Sequence, residues 1–319
     1  MSLGDWLDER TGHRALLKSA LDEPVHGGAR WAYVFGSALT LLLVVQAVTG
    51  WLLMSAYAPS ATTAWASVHN ITFTLRAGWL IRGIHHFGAQ AMVVLIVLHL
   101  GQTALFGAYR RPREVNWFFG LGLLGLTLAF ALTGYLLPWD QKGYWATRVA
   151  TNIAGTTPVV GAWLQQMLVG GAEYGHLTLT RFYALHVGVL PALTVLLVIG
   201  HVALFRKHGV TPGAGADRKK IDRFFPKQVG MDLAVAFVVL GAIFALTMRD
   251  HGAPLDAPAD PSSDYPARPE WYFLSLFELL KHFKGALEPV GAFGIPTLVA
   301  GYLVALPFLD KTKAQTPLS

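Results

Sequence analysis

Six long apolar blocks interrupt the 319-residue chain, and they constrain its fold more than any other feature. They run over Trp31–Met54, Ile84–Phe106, Trp117–Pro138, Phe182–Phe205, Met231–Met248 and Pro289–Leu309. Each is close to the ~20 residues that a helix needs to cross the hydrocarbon core of a bilayer, the fifth being short. Charged residues make up only 14% of the chain and apolar ones 53%, against about 25% and roughly 45–50% in soluble domains. With no water in the hydrocarbon to satisfy backbone N–H and C=O groups, the blocks must be helices or strands of a closed barrel, and their length selects helices. The expected fold class is an all-α membrane protein. No short apolar stretch with a small-residue cleavage site precedes the first block, so that block is expected to act as the first insertion signal. The leading "SLGDWLDERTGHRALLKSAL" reads either as an amphipathic helix on the membrane interface or as an exposed loop start.

Lysine and arginine orient the expected bundle. The N-terminus carries Arg10, Arg14, Lys18 and Arg30, and the second-to-third connection carries Arg110, Arg111 and Arg113. The fourth-to-fifth connection carries Arg206, Lys207, Arg218, Lys219, Lys220, Arg223 and Lys227, and the tail Lys311 and Lys313. These lie on one side and outnumber those on the other, so the positive-inside rule puts both termini on the cytoplasmic (n) side. The chain is then an integral, multi-pass protein, expected in a bacterial cytoplasmic membrane. Its net charge of +6 reflects this asymmetry, and no nucleic-acid partner is expected. The chain has no cysteine, which excludes a disulfide, a cysteine-ligated iron–sulfur cluster and a thioether-bound haem within it.

Four of the twelve histidines stand inside or at the ends of two apolar blocks: His85 and His99, then His186 and His201. A polar side chain in a membrane helix is costly and marks function by default. Fourteen residues of helix span about 21 Å and end about 40° short of four full turns, so His85 and His99 share a face. The 15-residue gap from His186 to His201 overshoots by about 60°, still roughly one face. Both blocks run from the p side to the n side, so His85 can meet His186 near one surface and His99 can meet His201 near the other. Each pair is a bis-imidazole site suited to a low-spin electron-transfer haem. Taken singly, each histidine is as well explained by a helix–helix hydrogen bond; two matched pairs are not. Gly36 and Gly50 in the first block, and Gly120 and Gly134 in the third, repeat the 14-residue period and would let helices approach a flat macrocycle closely. Arg82 could hold a haem propionate or serve as an interfacial anchor.

"RGIHHFGA" (Arg82 to Ala89), His99, "TGYLLPWDQKGYW" (Thr133 to Trp145), "RFYALH" (Arg181 to His186), His201 and "PEWY" (Pro269 to Tyr272) together resemble cytochrome b of the cytochrome bc complexes. The resemblance covers nearly the whole chain. The 15-residue histidine gap and "GYLLPWDQKGYW" are closest to the photosynthetic, chloroplast-type branch, although here the four-helix haem part and the PEWY part are one chain. That branch attaches an extra haem through a cysteine in the first helix; Val34 stands at the matching place, so a Cys-linked haem is excluded and a non-covalent one is not. Family members usually carry one or two helices beyond the sixth, expected here on another subunit or not at all.

The resemblance implies four segments: an n-side segment 1–30, a four-helix cytochrome b haem-binding domain 31–210, an n-side linker 211–230, and a two-helix quinol-site part 231–319. It implies two non-covalent b-type haems, one on His85 and His186 and one on His99 and His201, with a quinol or quinone as substrate. Quinol oxidation at the p side would send one electron to a Rieske iron–sulfur protein and a c-type cytochrome subunit and the other across the membrane, with proton translocation, in a dimeric complex in the lipid. Glu270 would accept a quinol proton, with Pro269 fixing the turn, Trp271 and Tyr272 shaping the pocket, and Tyr144 and Trp145 on its other wall. Asp232, Arg206 and His208 would serve n-side quinone reduction, although each is equally well an interfacial charge. His86 reads as interfacial or propionate-facing. Two alternatives stay open: a di-haem electron conduit without a p-side quinol site, and a haem-free proton-coupled transporter.

Overall fold

The computed structural model describes residues 1–213, 215–266 and 268–311, so Lys313 lies outside the described residues. Two short helices open the chain, α1 (Leu3–Thr11) and α2 (His13–Leu21). Ser2 and Asp5 form a reciprocal capping box at the start of α1, and Gly12 ends it in the left-handed region at φ 62°, where glycine pays no side-chain penalty. Leu3, Trp6, Leu7, Leu16 and Leu17 are exposed along the two helices. The leading segment is thus helical rather than a loop start.

Among the described residues, six helical segments have the length and hydropathy to cross a membrane, and each corresponds to one apolar block. The first is α3 (Val34–Met54), with a tighter turn at Trp31–Tyr33 ahead of it. After α4 (Ala64–Phe73), α5 (Gly78–Leu105) returns and α6 (Glu114–Leu136) goes out again. Three shorter helices follow, α7 (Gln141–Gly155), α8 (Gly161–Val169) and α9 (His176–Ala184), and the last of these runs on into α10 (Leu190–His208). The chain closes with α11 (Val229–Arg249), α12 (Leu274–His282) and α13 (Ile295–Leu309). Several spans exceed their apolar blocks at the ends: the fifth covers Phe224–Arg249, 26 residues. Polar turns such as residues 114–116, which open α6 ahead of Trp117, prolong a helix beyond its apolar stretch, which hydrophobicity alone does not register; in the fifth span the leading turn Phe224–Gln228 is kinked at Phe225, whose backbone is not helical.

The α9–α10 span explains the odd histidine spacing. Between the two helices lies one π-helical turn, Leu185–Val189, and His186 sits in it. Pro191 follows in the first turn of α10. It lacks the N–H that would bond the Val187 carbonyl, and its ring crowds that carbonyl, so the turn widens. A wide turn absorbs one extra residue, and the 15-residue gap then serves the same alignment as the 14-residue gap on α5. Pro296 follows a second such turn, Val290–Gly294, at the start of α13.

Both ends of the chain meet one end of the bundle. Strand β1 (Pro24–His26) pairs antiparallel with β2 (Ile221–Arg223), setting Val25 opposite Asp222. Arg110, between α5 and α6, forms an ion pair with Asp310 just after α13 at 2.6 Å. At the opposite end, the loop after α11 is stitched to the helices. Arg82 donates to the carbonyls of Ala253 and Pro254, each at 2.7 Å, and to Thr72 Oγ1. Trp65 Nε1 donates to the Asp256 carbonyl, and the backbones of Gln141 and Ala259 bond those of Ala257 and Trp139.

α5 packs on α3 and α11, and α6 on α10. At Gly83 the approach is close enough that a Cβ would overlap Thr247 of α11 and press on Gly252. Gly83→Val is expected to separate α5 from α11 at a cost of about 1–3 kcal/mol, the range for overpacking a core. A fall in the thermal unfolding midpoint of the purified protein checks this, and an unchanged midpoint contradicts the close packing.

Candidate functional site

The four histidines meet in two pairs. His85 and His186 have ring centres 6.3 Å apart at 70°, and His99 and His201 have theirs 6.4 Å apart at 81°. Two imidazole–metal bonds of about 2.0–2.1 Å, with about 1.1 Å from each nitrogen to its ring centre, add to about 6.3 Å. The residues present therefore fit one metal ion between each pair. The hydrogen bonds agree. Thr49 Oγ1 donates to the Val45 carbonyl at 2.6 Å and lies 2.9 Å from His85 Nδ1, which it must therefore accept. Thr133 repeats the arrangement with the Ala129 carbonyl and His186 Nδ1 at 3.0 Å. His201 Nδ1 donates to the Asn116 carbonyl at 3.2 Å. Holding the proton on Nδ1 leaves the Nε2 lone pair for a metal, which is how an outer partner orients a ligating imidazole.

The glycines face these rings. A Cβ on Gly134 would stand 2.6 Å from His186 Cε1, and one on Gly50 would stand 3.2 Å from His85 Cε1. Gly120 faces His201 at 3.5 Å and Gly36 faces His99 at 3.9 Å, which is ordinary contact. The structure therefore brings all four glycines to the histidines, more tightly at one end of the bundle than at the other.

At the His85/His186 end lies an apolar cavity of about 220 Å³. Leu132 and Tyr135 of α6, Ala146, Val149, Ala150 and Ile153 of α7, Pro269, and Phe273, Leu276, Phe277 and Leu280 line it. A second, more polar space shares Val149, Ile153 and Leu280 and adds Asn152, Lys284 and Glu288. Of the PEWY residues, Pro269 is in the wall. Glu270 stands beside it, paired with Lys142 at 2.7 Å. Trp271 Nε1 donates to Gln90 Oε1 at 3.2 Å, which turns the Gln90 amide nitrogen towards His86 Nε2 at 2.8 Å. Burial and the Glu270 carboxylate both push the Tyr272 phenol up. Helix α7 lines this cavity through other residues than Tyr144 and Trp145: Tyr144 is buried against Trp139 and Tyr174, and Trp145 packs on Tyr144 and donates to Gln141.

The remaining candidates scatter. Arg82 clamps the 253–254 loop. Asp232 accepts from Ser37 Oγ at 2.7 Å and from Gln228 at 2.9 Å, and Ser37 follows Gly36, so Asp232 stands beside the His99/His201 end. Arg206 pairs with Glu23 at 2.9 Å, and the His208 carbonyl accepts from Arg113. These three have different partners. Sequence reasoning missed Thr49, Thr133, Tyr135 and Lys142. The threonines lie 36 and 53 residues from their histidines, beyond any local signal. Tyr135 lines the cavity, and its buried hydroxyl has no hydrogen-bond partner.

The chain is similar to known proteins in both sequence and structure. The sequence model described as Cytochrome b/b6/petB matches residues 21–209. A cytochrome bc complex cytochrome b subunit of Chlorobaculum thiosulfatiphilum is 35% identical over 301 residues, 92% of this chain and 69% of that protein. A cytochrome b6 of Tupiella akineta is 39% identical over 207 residues, 65% of this chain and 96% of that protein. Among solved structures, a chain of a hyperthermophilic respiratory Complex III superposes with a TM-score of 0.85 at 29% identity, over 97% of this chain and 83% of that one.

Asp140 supports the cavity wall by capping α7: it accepts from Gly143 N at 2.8 Å and from Asp256 N at 3.2 Å. Burial pushes its carboxyl above the ordinary range, against the pull of those two bonds. A raised folded-state value means that the protonated form stabilises the fold: its contribution is full below the ordinary carboxylate value and lost as pH rises through the raised one. Asp140→Ala is expected to cost about 1–2 kcal/mol, as lost N-caps do. Asp140→Asn keeps the Gly143 bond and is expected to flatten the loss of stability with rising pH on the acid side. Unfolding midpoints of the two variants against pH check both.

Proposed function

The chain belongs to the cytochrome b/b6 family of multi-pass membrane subunits of bc-type complexes, and from that premise we propose that it oxidises quinol and passes electrons across the membrane in a quinol:cytochrome c reductase. The observation that carries this reading is the pair of imidazole pairs, each with a glycine facing each ring. His85 and His186 would hold one b-type haem and His99 and His201 the other; when bound, the haems supply one-electron transfer over about 21 Å of helix. The chain's own residues set the terms. Thr49, Thr133 and the Asn116 carbonyl accept hydrogen bonds from the Nδ1–H groups of His85, His186 and His201 and orient those rings, and Gly50 and Gly134 keep side chains out of the space beside them.

The apolar cavity beside Pro269 supports a quinol site over a bare di-haem conduit, because a conduit needs no such pocket. Its walls match an apolar ring and tail, and the unpartnered Tyr135 hydroxyl can hydrogen-bond a quinol oxygen. Glu270, at the edge of that wall, takes a substrate proton as general base. In this reading one substrate electron leaves to a Rieske iron–sulfur partner and a c-type cytochrome, and the other crosses the membrane. At the opposite end Asp232, beside Gly36, would deliver protons to a quinone, with Arg206 and His208 at the rim. The termini lie on the n side, by the lysine and arginine asymmetry. Family membership sets aside the haem-free transporter.

A potentiometric titration of the reduced-minus-oxidised visible spectrum tests this in the complex purified with its co-purifying subunits. Two b-type components are expected. His186→Ala should remove one and His201→Ala the other, while Gly134→Ala, whose Cβ would press on His186, should displace the first. Loss of b-type absorbance in neither histidine variant overturns the ligand assignment. Glu270→Gln is expected to lower quinol turnover by about 10²-fold, the low end for loss of a general base, with both spectral components intact.

A further inference from the structure

The carboxylate of Glu270 does not stand free at the cavity. It forms an ion pair with Lys142 at 2.7 Å, and the glutamate side chain is 12% exposed against 38% for the lysine. The same ammonium lies 5.6 Å above the ring of Tyr135, a residue that lines the cavity and whose buried hydroxyl has no hydrogen-bond partner. One cation therefore touches both the carboxylate beside the cavity and the aromatic ring in its wall. Its backbone is held in place too: Lys142 is the second residue of α7, after Gln141, whose N–H bonds the Ala257 carbonyl, and before Gly143, whose N–H bonds Asp140. Lys142 thus reaches Glu270 from a firmly capped helix end.

We propose that Lys142 is the positioning residue of the quinol site: its ammonium holds the Glu270 carboxylate at the edge of the cavity, oriented to take a proton from a quinol hydroxyl. The inference rests on the quinol-oxidising reading above. In the step it serves, the substrate O–H bond breaks and a new O–H bond forms on a Glu270 oxygen; the electrons leave to the one-electron acceptors already named. The carboxylic acid so formed is neutral, and its bond to the ammonium is weaker than the ion pair it replaces, in which both partners are charged. Proton loading thus loosens the tie and frees Glu270 to release its proton to the more polar space beside the cavity. A charge is needed at position 142 for this, and a shape alone does not supply it.

The test uses the complex with its co-purifying subunits, a short-tailed quinol as substrate and a c-type cytochrome as acceptor, with the b-type spectrum as the control for assembly. Lys142→Met is expected to lower kcat about tenfold with KM within about twofold, since a group that acts through a general base affects the chemical step. Lys142→Arg restores most of that loss. In a Glu270→Gln background Lys142→Met costs nothing further, because the two residues act as one unit. Full kcat in Lys142→Met, a loss that arginine does not restore, or losses that multiply in the double variant would each overturn the proposal while leaving the quinol reading in place. If Lys142→Met fails to assemble, Lys142→Gln takes its place in the same comparison. A wild-type complex with both b-type components but no quinol oxidation overturns the quinol reading itself, and the role of Lys142 with it.

Discussion

Four half-buried imidazoles set among apolar helices are the constraint around which the rest of the bundle is arranged. A polar ring without partners costs several kcal/mol in hydrocarbon, and three of the four rings are answered from a neighbouring helix, while His99 Nδ1 has no hydrogen-bond partner. Thr49 on α3 answers His85 on α5, Thr133 on α6 answers His186 beside α10, and the Asn116 carbonyl answers His201. These contacts dictate which helices stand side by side. The glycines at positions 50 and 134 follow from the same demand, since a side chain there would press on the ring, while those at 36 and 120 face their rings at ordinary contact distance. The widened turn at Leu185–Val189 follows as well, bringing His186 into line with His201 despite one extra residue.

A second constraint joins the four-helix part to the helices that follow it. The loop after α11 has to deliver Pro269 and Glu270 to a cavity built mainly from α6, α7 and α12. It is held by polar groups reaching out of the helices: Arg82 onto the carbonyls of Ala253 and Pro254, Asp140 onto the Asp256 amide, Trp65 onto the Asp256 carbonyl. Arg82, three residues from a histidine of one pair, thereby ties the His85 end of α5 to the segment that carries the carboxylate. The two chemistries of the proposed function, proton acceptance and electron transfer, share a mechanical frame at this end.

Much was legible in the sequence because membrane insertion writes it in composition. Six apolar blocks became six spans, and helical periodicity put each pair of histidines and each pair of glycines on common faces, because 14 residues nearly complete four turns. The ends of the spans were less legible, since a polar turn can continue a helix without registering as apolar. The roles of Tyr144 and Trp145 were only partly legible: their helix does form the cavity wall, but α7 turns Ala146, Val149, Ala150 and Ile153 to the cavity and Tyr144 to the protein core.

What the sequence alone determined is what depends on local pattern: the membrane class, the number of spans, the faces on which histidines and glycines lie, and the PEWY segment. The tertiary structure decided what depends on contacts between residues far apart in the chain. It set the ring separations of 6.3 and 6.4 Å, the proton-holding threonines, the cavity, and the ion pair between Lys142 and Glu270, which are 128 residues apart. The physical reason is that helix periodicity is encoded within a few turns, whereas the partner of a buried polar group is chosen by whichever helix packs against it, and packing is settled only when the whole bundle closes.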